Sequence, residues 1–178
     1  MVGFKKGVDR MLKKIDKIMD FLEENFVFIT LLSMLMIVFA NFIFRYLFGS
    51  PITWGEEASR YLMIWATFIA ASLGVKRGAH ITLDILVVYL PKKANRILRA
   101  ISYVLSIVYC VILIIIGIPF INSLIEKGQL SPALHLPMHI VYLAVLVGTI
   151  FMLFRYILLF ISDIIKSEQV EKPEIFVD

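Results

Sequence analysis

The sequence predicts an all-α integral membrane protein with four transmembrane helices and with both termini in the cytoplasm. Of its 178 residues, 60% are hydrophobic and only 18% are charged, whereas a soluble domain averages about 45–50% apolar and about 25% charged residues. The apolar residues are gathered into four long runs, and the basic residues are grouped beside those runs. The lipid bilayer is therefore the expected solvent of this chain.

The four apolar runs predict transmembrane helices at residues 26–48, 56–75, 98–118 and 140–161 of a single membrane domain. Each run has about 20 residues, which is the length that crosses a hydrocarbon core of about 30 Å as a helix. Helices are favoured because every backbone N–H and C=O group in that core has to be paired within the protein. We expect the first helix to be retained rather than cleaved as a signal peptide, because its run is long and is followed by bulky residues.

Residues 1–25 predict a cytoplasmic amphipathic helix that precedes the first span. Apolar residues recur at helical spacing over residues 8–22, and lysines and an arginine occupy the opposite face. Such a helix suits the anionic inner surface of a membrane, so phospholipids are expected partners; docking on another protein is the alternative. Residues 162–178 form a short polar cytoplasmic tail.

A fifth apolar stretch, residues 81–90, is about half the length of a span and ends at Pro91. It predicts an interfacial or re-entrant segment between helices two and three.

The distribution of lysine and arginine predicts the orientation. The N-terminal tail and the second connection each carry six of these residues, the first loop carries none, and the third connection carries only Lys127. The positive-inside rule then places both termini and the middle connection in the cytoplasm.

Polar residues flank the first loop, at the predicted periplasmic ends of helices one and two. Ionisable groups near hydrocarbon are stabilised when they are paired or wetted, so we expect a structural ion-pair cluster, with aromatic side chains as interfacial anchors. The predicted cluster comprises Asn41, Arg45, Glu56, Glu57 and Arg60, and the predicted anchors are Tyr46, Trp54 and Tyr61. A proton or ion relay is the less favoured alternative, because the spans hold no other carboxylate at mid-depth.

Small residues recur at a spacing of four along helix two, at Ala66, Ala70 and Gly74. This pattern lets another helix approach closely and predicts packing against a helix of this chain or of a partner subunit; a chance run of small residues is the alternative.

Arg77, Gly78, His80 and Asp84 form a predicted cytoplasmic motif at the start of the middle connection. His80 and Asp84 are one helical turn apart. Because the sequence supplies neither a suitable nucleophile nor a glycine-rich phosphate loop, we favour a capping or bridging hydrogen bond over catalysis.

The third connection predicts a periplasmic docking loop that contains Gln129, Ser131, Pro132 and Pro137. Its two prolines favour extended or turn geometry, and its apolar character is typical of a surface that contacts another protein. His135 and His139 would share a metal only if a helix ran through Pro137, so no metal site is expected. The lone cysteine, Cys110, lies in an apolar run and is expected to be a small packing side chain.

Four stretches, in order, resemble the DctQ-like small membrane subunit of the tripartite ATP-independent periplasmic (TRAP) transporters. They are N-x-x-x-R-Y at 41–46, W-x-E-E-x-x-R-Y at 54–61, K-R-G-A-H-I-x-x-D at 76–84 and Q-x-S-P-A-L-x-x-P at 129–137. Each stretch alone is a weak signal, but four in order, together with four crossings, are fairly specific.

The resemblance implies a multi-pass protein of a bacterial or archaeal cytoplasmic (inner) membrane that takes part in secondary active transport. Members of the family work with a large elevator-type membrane subunit, which carries substrate and sodium, and with a periplasmic solute-binding protein that captures an organic acid. The small subunit is similar to a scaffold that braces the large subunit and helps dock the binding protein. The resemblance thus implies no enzyme activity and no cofactor in this chain, with sodium bound by the large subunit.

Two other classes of function are weighed against this expectation: an exporter, and an enzyme or electron carrier such as a four-helix haem protein. The haem protein would need axial histidines that face each other across helices, whereas His80, His135 and His139 all lie in connections. The runner-up is a small self-sufficient exporter that works as an oligomer, which would need a carboxylate inside the membrane. Nucleic acid is not an expected partner, although the formal net charge is +4, because the basic residues lie beside the apolar runs.

Overall fold

Four long helices make up nearly all of the structure, a computed structural model that describes the backbone of residues 2–89 and 92–170 and the side chains of residues 14–78, 94 and 97–162. The helices are α1 (Val2–Leu47), α2 (Gly55–Tyr89), α3 (Lys92–Glu126) and α4 (Met138–Val170). Each contains a stretch that is long and apolar enough to cross a membrane, at Lys14–Leu47, Gly55–Gly78, Ile97–Glu126 and Met138–Ser162. The prediction of an all-helical protein with four membrane-crossing helices is confirmed; the boundaries at the bilayer and the side reached by each terminus stay predictions.

The first helix is continuous through the predicted amphipathic segment and the predicted first span. Its sequence contains neither proline nor glycine after Gly7, so nothing in it breaks the backbone hydrogen-bond ladder. Its 46 residues rise about 69 Å, more than twice the thickness of a hydrocarbon core of about 30 Å. A large part of α1 therefore extends beyond the core.

The second helix also continues further than its predicted span. It includes the backbone of residues 81–89, the apolar stretch that we expected to be a separate interfacial or re-entrant segment. In the structure this stretch is the last part of α2. Its depth in the bilayer stays a prediction, and its side chains lie outside the described residues.

The helices pack in the order α1, α2, α4, α3. Helix α1 packs on α2, α2 packs on α4, and α4 packs on α3, whereas α2 and α3 touch only marginally. The described core is small and includes Ala66, Ile69, Cys110 and Ala144. The two edge helices expose large apolar side chains, such as Phe28 at 65% on α1 and Leu105 at 69% on α3, as expected of surfaces covered by lipid or by another membrane subunit.

A glycine on α4 permits the close approach of the two central helices. A Cβ atom placed on Gly148 would lie 2.5 Å from the backbone oxygen of Phe68 on α2, so only hydrogen fits there. Ala144, four residues earlier, is fully buried. The small residue that brings α2 and α4 together is thus Gly148, which was not among the residues predicted from the sequence.

The small residues predicted on α2 have mixed surroundings. Ala66 is buried inside the chain and Ala70 is half-buried, whereas Gly74 is exposed and an added Cβ there would meet no atom within 4 Å. The Ala66 end of this stripe therefore packs within the bundle, and packing of Gly74 against a partner subunit stays a prediction.

Replacing Gly148 with alanine tests the contact between α2 and α4. The added methyl group meets backbone atoms that cannot rotate away, so we expect Gly148→Ala to destabilise the protein by about 1–3 kcal/mol, seen as a lower unfolding midpoint in detergent. Gly74→Ala is the matched control and should cause no loss, because its Cβ enters open space. Equal unfolding midpoints for Gly148→Ala and the unmodified chain would contradict this packing.

Candidate functional site

A buried arginine on α4 binds three carboxylates of α1. The Arg155 side chain is 2% exposed. Its Nη1 donates to Asp16 Oδ1 at 3.1 Å, and its Nη2 donates to Asp20 Oδ1 at 2.8 Å and also to Glu23. Its Nε donates to Glu23 Oε2 at 3.2 Å and to Ser72 Oγ at 3.0 Å.

Helix α2 supplies the remaining members of this group. The Ser72 hydroxyl donates to Glu23 Oε1 at 2.9 Å, and Lys76 Nζ donates to Asp16 Oδ2 and Asp20 Oδ2 at 2.6 Å each. Three helices are thereby joined by polar bonds. We call this group the buried ion cluster; its members are Asp16, Asp20, Glu23, Ser72, Lys76 and Arg155.

Helical periodicity explains how the members of the buried ion cluster come to lie together. Positions 16, 20 and 23 are spaced by four and three residues and therefore share one face of α1, as positions 72 and 76 share a face of α2. A guanidinium carries five N–H donors in a planar fork, so one arginine can serve several carboxylates at once. The helical spacing of the polar residues on α1 and α2 and the five N–H donors of Arg155 together produce the cluster.

The electrostatics of the buried ion cluster favour a structural role. Its three carboxylates face two cationic side chains, Lys76 and Arg155, so the charges nearly balance. A buried charge without such partners is destabilising by several kcal/mol. Among the described side chains, no carboxylate lies between this cluster and the opposite end of the bundle. The arrangement can therefore hold helices together. The described side chains provide no series of carboxylates along which a proton or an ion could pass.

The buried ion cluster was not among the sequence predictions, which used the basic residues of the N-terminal segment and not the acidic ones. Two signals were present: an arginine inside the fourth apolar run, which requires a partner, and three acids at helical spacing before the first run.

A second polar group lies at the other end of the bundle, where residues 48–54 join α1 to α2 and residues 127–137 join α3 to α4. The Glu57 carboxylate accepts hydrogen bonds from the backbone N–H groups of Ala133 at 2.7 Å and Leu134 at 3.1 Å. It also accepts one from the hydroxyl of Tyr61. We call these four residues the loop clasp, because they fasten the second of these loops to α2.

The predicted docking loop has a defined internal structure. Ser131, 2% exposed, donates from its N–H to Leu136 O at 2.9 Å, and its Oγ accepts from Leu136 N–H at 3.1 Å. Gln129 O accepts from Met138 N–H at 2.9 Å, and Leu130 pairs with Pro137 in an isolated antiparallel bridge. These bonds close the loop at its base.

The surface of that loop is partly apolar. Leu130 and Leu136 are 54% and 41% exposed, and Pro132 is exposed as well. Function at this loop stays a prediction, but its shape is fixed by the bonds just described.

The predicted ion-pair cluster at this end is smaller than expected. Glu56 and Arg60 form an exposed pair at 3.0 Å, whereas Glu57 is occupied by the loop and bonds no arginine. Arg45 is exposed, and among the described residues it makes no hydrogen bond or ion pair. Asn41 instead accepts a hydrogen bond from Ile52 N–H at 2.9 Å. In both places a side-chain oxygen accepts a hydrogen bond from a backbone N–H group of a loop rather than from an arginine. A loop N–H group is a strong donor with few alternative acceptors.

The predicted aromatic anchors and cytoplasmic motif are only partly described. Tyr46 is 70% exposed and Trp54 is 44% exposed, while Tyr61 is engaged by Glu57. Arg77 pairs with Glu24 at 3.1 Å on the surface. The other members of that motif are Gly78, which lines a groove, and His80 and Asp84, whose side chains lie outside the described residues.

Comparisons with known proteins agree with the resemblance seen in the sequence. The family model for the DctQ component of tripartite ATP-independent periplasmic transporters matches residues 34–166, well over half of the chain. A Haemophilus influenzae protein named as a TRAP transporter small permease protein is 33% identical over an alignment of 136 positions, which covers 68% of this chain and 83% of that protein.

Two further relatives match a smaller share of their own length. The C4-dicarboxylate TRAP transporter small permease protein DctQ of Vibrio cholerae is 28% identical over 57% of this chain, and the match spans 44% of that protein. The isethionate TRAP transporter permease protein DctMQ of Oleidesulfovibrio alaskensis is 26% identical over 68% of this chain, and the match spans only 20% of that protein.

Removing the central cation of the buried ion cluster tests its structural role. We expect Arg155→Ala to destabilise the protein by about 3–5 kcal/mol, because it leaves the buried carboxylate of Glu23 without its cationic partner. Arg155→Lys keeps the positive charge but loses the planar guanidinium. Its stability should lie between that of Arg155→Ala and that of the unmodified chain. Chemical or thermal unfolding in detergent measures the effect. Arg77→Ala breaks an exposed pair and is the control, with an expected loss of at most about 1 kcal/mol. Similar losses for Arg155→Ala and Arg77→Ala would refute the assigned role.

Removing the carboxylate of Glu57 tests the loop clasp. In Glu57→Ala the N–H groups of Ala133 and Leu134 lose a charged acceptor, so their hydrogen exchange should accelerate by about 10- to 100-fold. Glu56→Ala is the matched control, because the neighbouring carboxylate is 81% exposed and bonds no loop atom; exchange there should not change. Unchanged protection in Glu57→Ala would show that the loop is held by its internal bonds alone.

Proposed function

This chain belongs to the DctQ family, the small membrane component of tripartite ATP-independent periplasmic transporters, and from that premise we propose that it is the scaffold subunit of a sodium-driven secondary transporter for an organic acid. In this role it braces a large elevator-type subunit and helps dock a periplasmic solute-binding protein. It is a multi-pass membrane protein, and we propose the cytoplasmic (inner) membrane of a bacterium or archaeon as its location.

The observation that carries the proposal is the fastening of the bundle at both ends. The buried ion cluster ties α1, α2 and α4 together, and the loop clasp ties the α3–α4 connection to α2. A protein held in this way is suited to stand still while a neighbour moves. Among the described side chains, no carboxylate lies between the two ends of the bundle. A carrier of sodium or protons would need a carboxylate there.

The large subunit is the proposed partner in the membrane. Helices α1 and α3 form the edges of the bundle and expose apolar side chains, so either edge can pack against another membrane protein. The DctMQ relative supports this proposal, because the part that matches this chain is 20% of its length. Most of that permease lies outside the match, as expected if a small and a large membrane component are joined in one protein.

The solute-binding protein is proposed to dock at the loop clasp end. The positive-inside rule favours cytoplasmic termini, which would put residues 48–54 and 127–137 in the periplasm. The second of these loops presents Leu130, Pro132 and Leu136 on a fixed backbone. A preformed apolar surface costs less conformational entropy on binding than a flexible one.

The substrate class is proposed from the chemistry of the relatives. One relative is named for C4-dicarboxylates and another for isethionate, which are carboxylates and a sulfonate. Both are small organic anions. Because the described side chains of this chain form no charged path, substrate and sodium are proposed to bind the large subunit.

Reconstitution tests the proposed function. The chain should co-purify with a co-expressed large TRAP permease subunit, and proteoliposomes should take up a radiolabelled dicarboxylate only when they contain both membrane subunits, the binding protein and an inward sodium gradient. The chain alone should transport nothing. Uptake or export by the purified chain alone would refute the proposal and favour the self-sufficient oligomeric exporter.

A further inference from the structure

A groove of about 640 Å³ lies between α2 and α3, with α4 as its floor. It exists because α2 and α3 touch only marginally, so α4 alone bridges them. This groove plays no part in the buried ion cluster or in the loop clasp. Its walls include Ala71, Gly74 and Gly78 on α2, Arg99, Ser102 and Leu105 on α3, and Tyr156 on α4.

The groove has a polar end and an apolar end. Helices α2 and α3 run in opposite directions, so Gly78 lies near Arg99 while Ala71 lies near Leu105. Arg99 and Tyr156 are both half-buried and mark the polar end. From residue 98 to residue 106 a helix rises about 12 Å, which is the depth of the slot along α3.

The polar end lies at one end of the predicted third span, residues 98–118. Arg99 is the second residue of that predicted span, so its guanidinium is expected at the depth where lipid headgroups meet hydrocarbon. A guanidinium group matches the geometry of a phosphate group. Tyrosine side chains are enriched at the same depth, at the membrane–water interface. The deeper walls are small or aliphatic apart from the aromatic ring of Tyr103.

We propose that this groove binds one glycerophospholipid, with its phosphodiester at Arg99 and Tyr156 and one acyl chain in the slot between α2 and α3. The polar end and the apolar slot match the two parts of such a molecule, and the positive charge of Arg99 complements the phosphodiester. The volume also falls in the range of about 300–1,000 Å³ that is typical of small-ligand sites. A helix about 10 Å across and 12 Å long would fill about 900 Å³, more than the groove contains.

The bound lipid supplies contacts that the helices lack. It lies between α2 and α3 and so completes a bundle in which α3 is otherwise held mainly by α4. This role concerns the chain itself and does not depend on the transport function proposed above.

Lipid retention by the purified full chain tests the site. After prolonged washing in detergent, mass spectrometry should find one phospholipid retained per chain. Arg99→Gln removes the charge, and Gly74→Leu fills the slot, where an added Cβ meets no atom within 4 Å. Each change should lower retention by about tenfold.

The controls are Arg60→Gln and Thr67→Leu, which lie outside the groove and should retain lipid as the unmodified chain does. Equal retention in the two groove variants and in the controls would overturn the proposal.

Adding ligands back to the delipidated chain identifies the chemistry. Vesicles of phosphatidylglycerol should raise the unfolding midpoint, and neither diacylglycerol nor inorganic phosphate should do so; Arg99→Gln should remove the response while its gel-filtration profile stays unchanged. An equal response to inorganic phosphate would mean an anion site rather than a lipid site. A photo-crosslinker at Ser102 that captures a protein instead of lipid would also overturn the proposal.

Discussion

The guanidinium of Arg155 sets the relation of three of the four helices. Inside a membrane, apolar surfaces gain little by leaving lipid for another helix, so small residues and polar bonds decide which helices meet. Arg155 supplies the polar bonds by reaching Asp16, Asp20 and Glu23 on α1 and Ser72 on α2. Gly148 supplies the close contact between α2 and α4. Once α1, α2 and α4 are fixed in this way, α3 can only pack on the free side of α4.

The distribution of polarity follows from this arrangement. Charged groups are concentrated near the two ends of the bundle, and the described middle is apolar apart from hydroxyls such as Thr149 that bond their own helix. At both ends a carboxylate accepts hydrogen bonds from N–H groups of another segment. In the ion cluster the donor is the guanidinium of Arg155, and in the loop clasp the donors are backbone N–H groups. The bundle thus has two ends fastened by polar bonds and two apolar edges, which suits the scaffold role proposed above.

Hydropathy and charge distribution were enough to predict the helices, because the bilayer imposes a length and a solvent on each of them. The Glu56–Arg60 pair was likewise predictable from its spacing of four. The partner of Glu57 was not, since it depends on where a folded loop directs the N–H groups of Ala133 and Leu134. The ion cluster joins residues up to 139 positions apart, and no local pattern pairs them, although Arg155 inside an apolar run showed that some acidic partner was needed.

That separation along the chain has a consequence for biogenesis. Translation at about 5–20 residues per second leaves roughly 7–28 seconds between the emergence of Asp16 and that of Arg155, which follows it by 139 residues. Lys76 arrives sooner, 60 residues after Asp16, and partly neutralises the acids in the interval. Until the last helix enters the bilayer, the three carboxylates of the buried ion cluster therefore have Lys76 as their only cationic partner within that cluster.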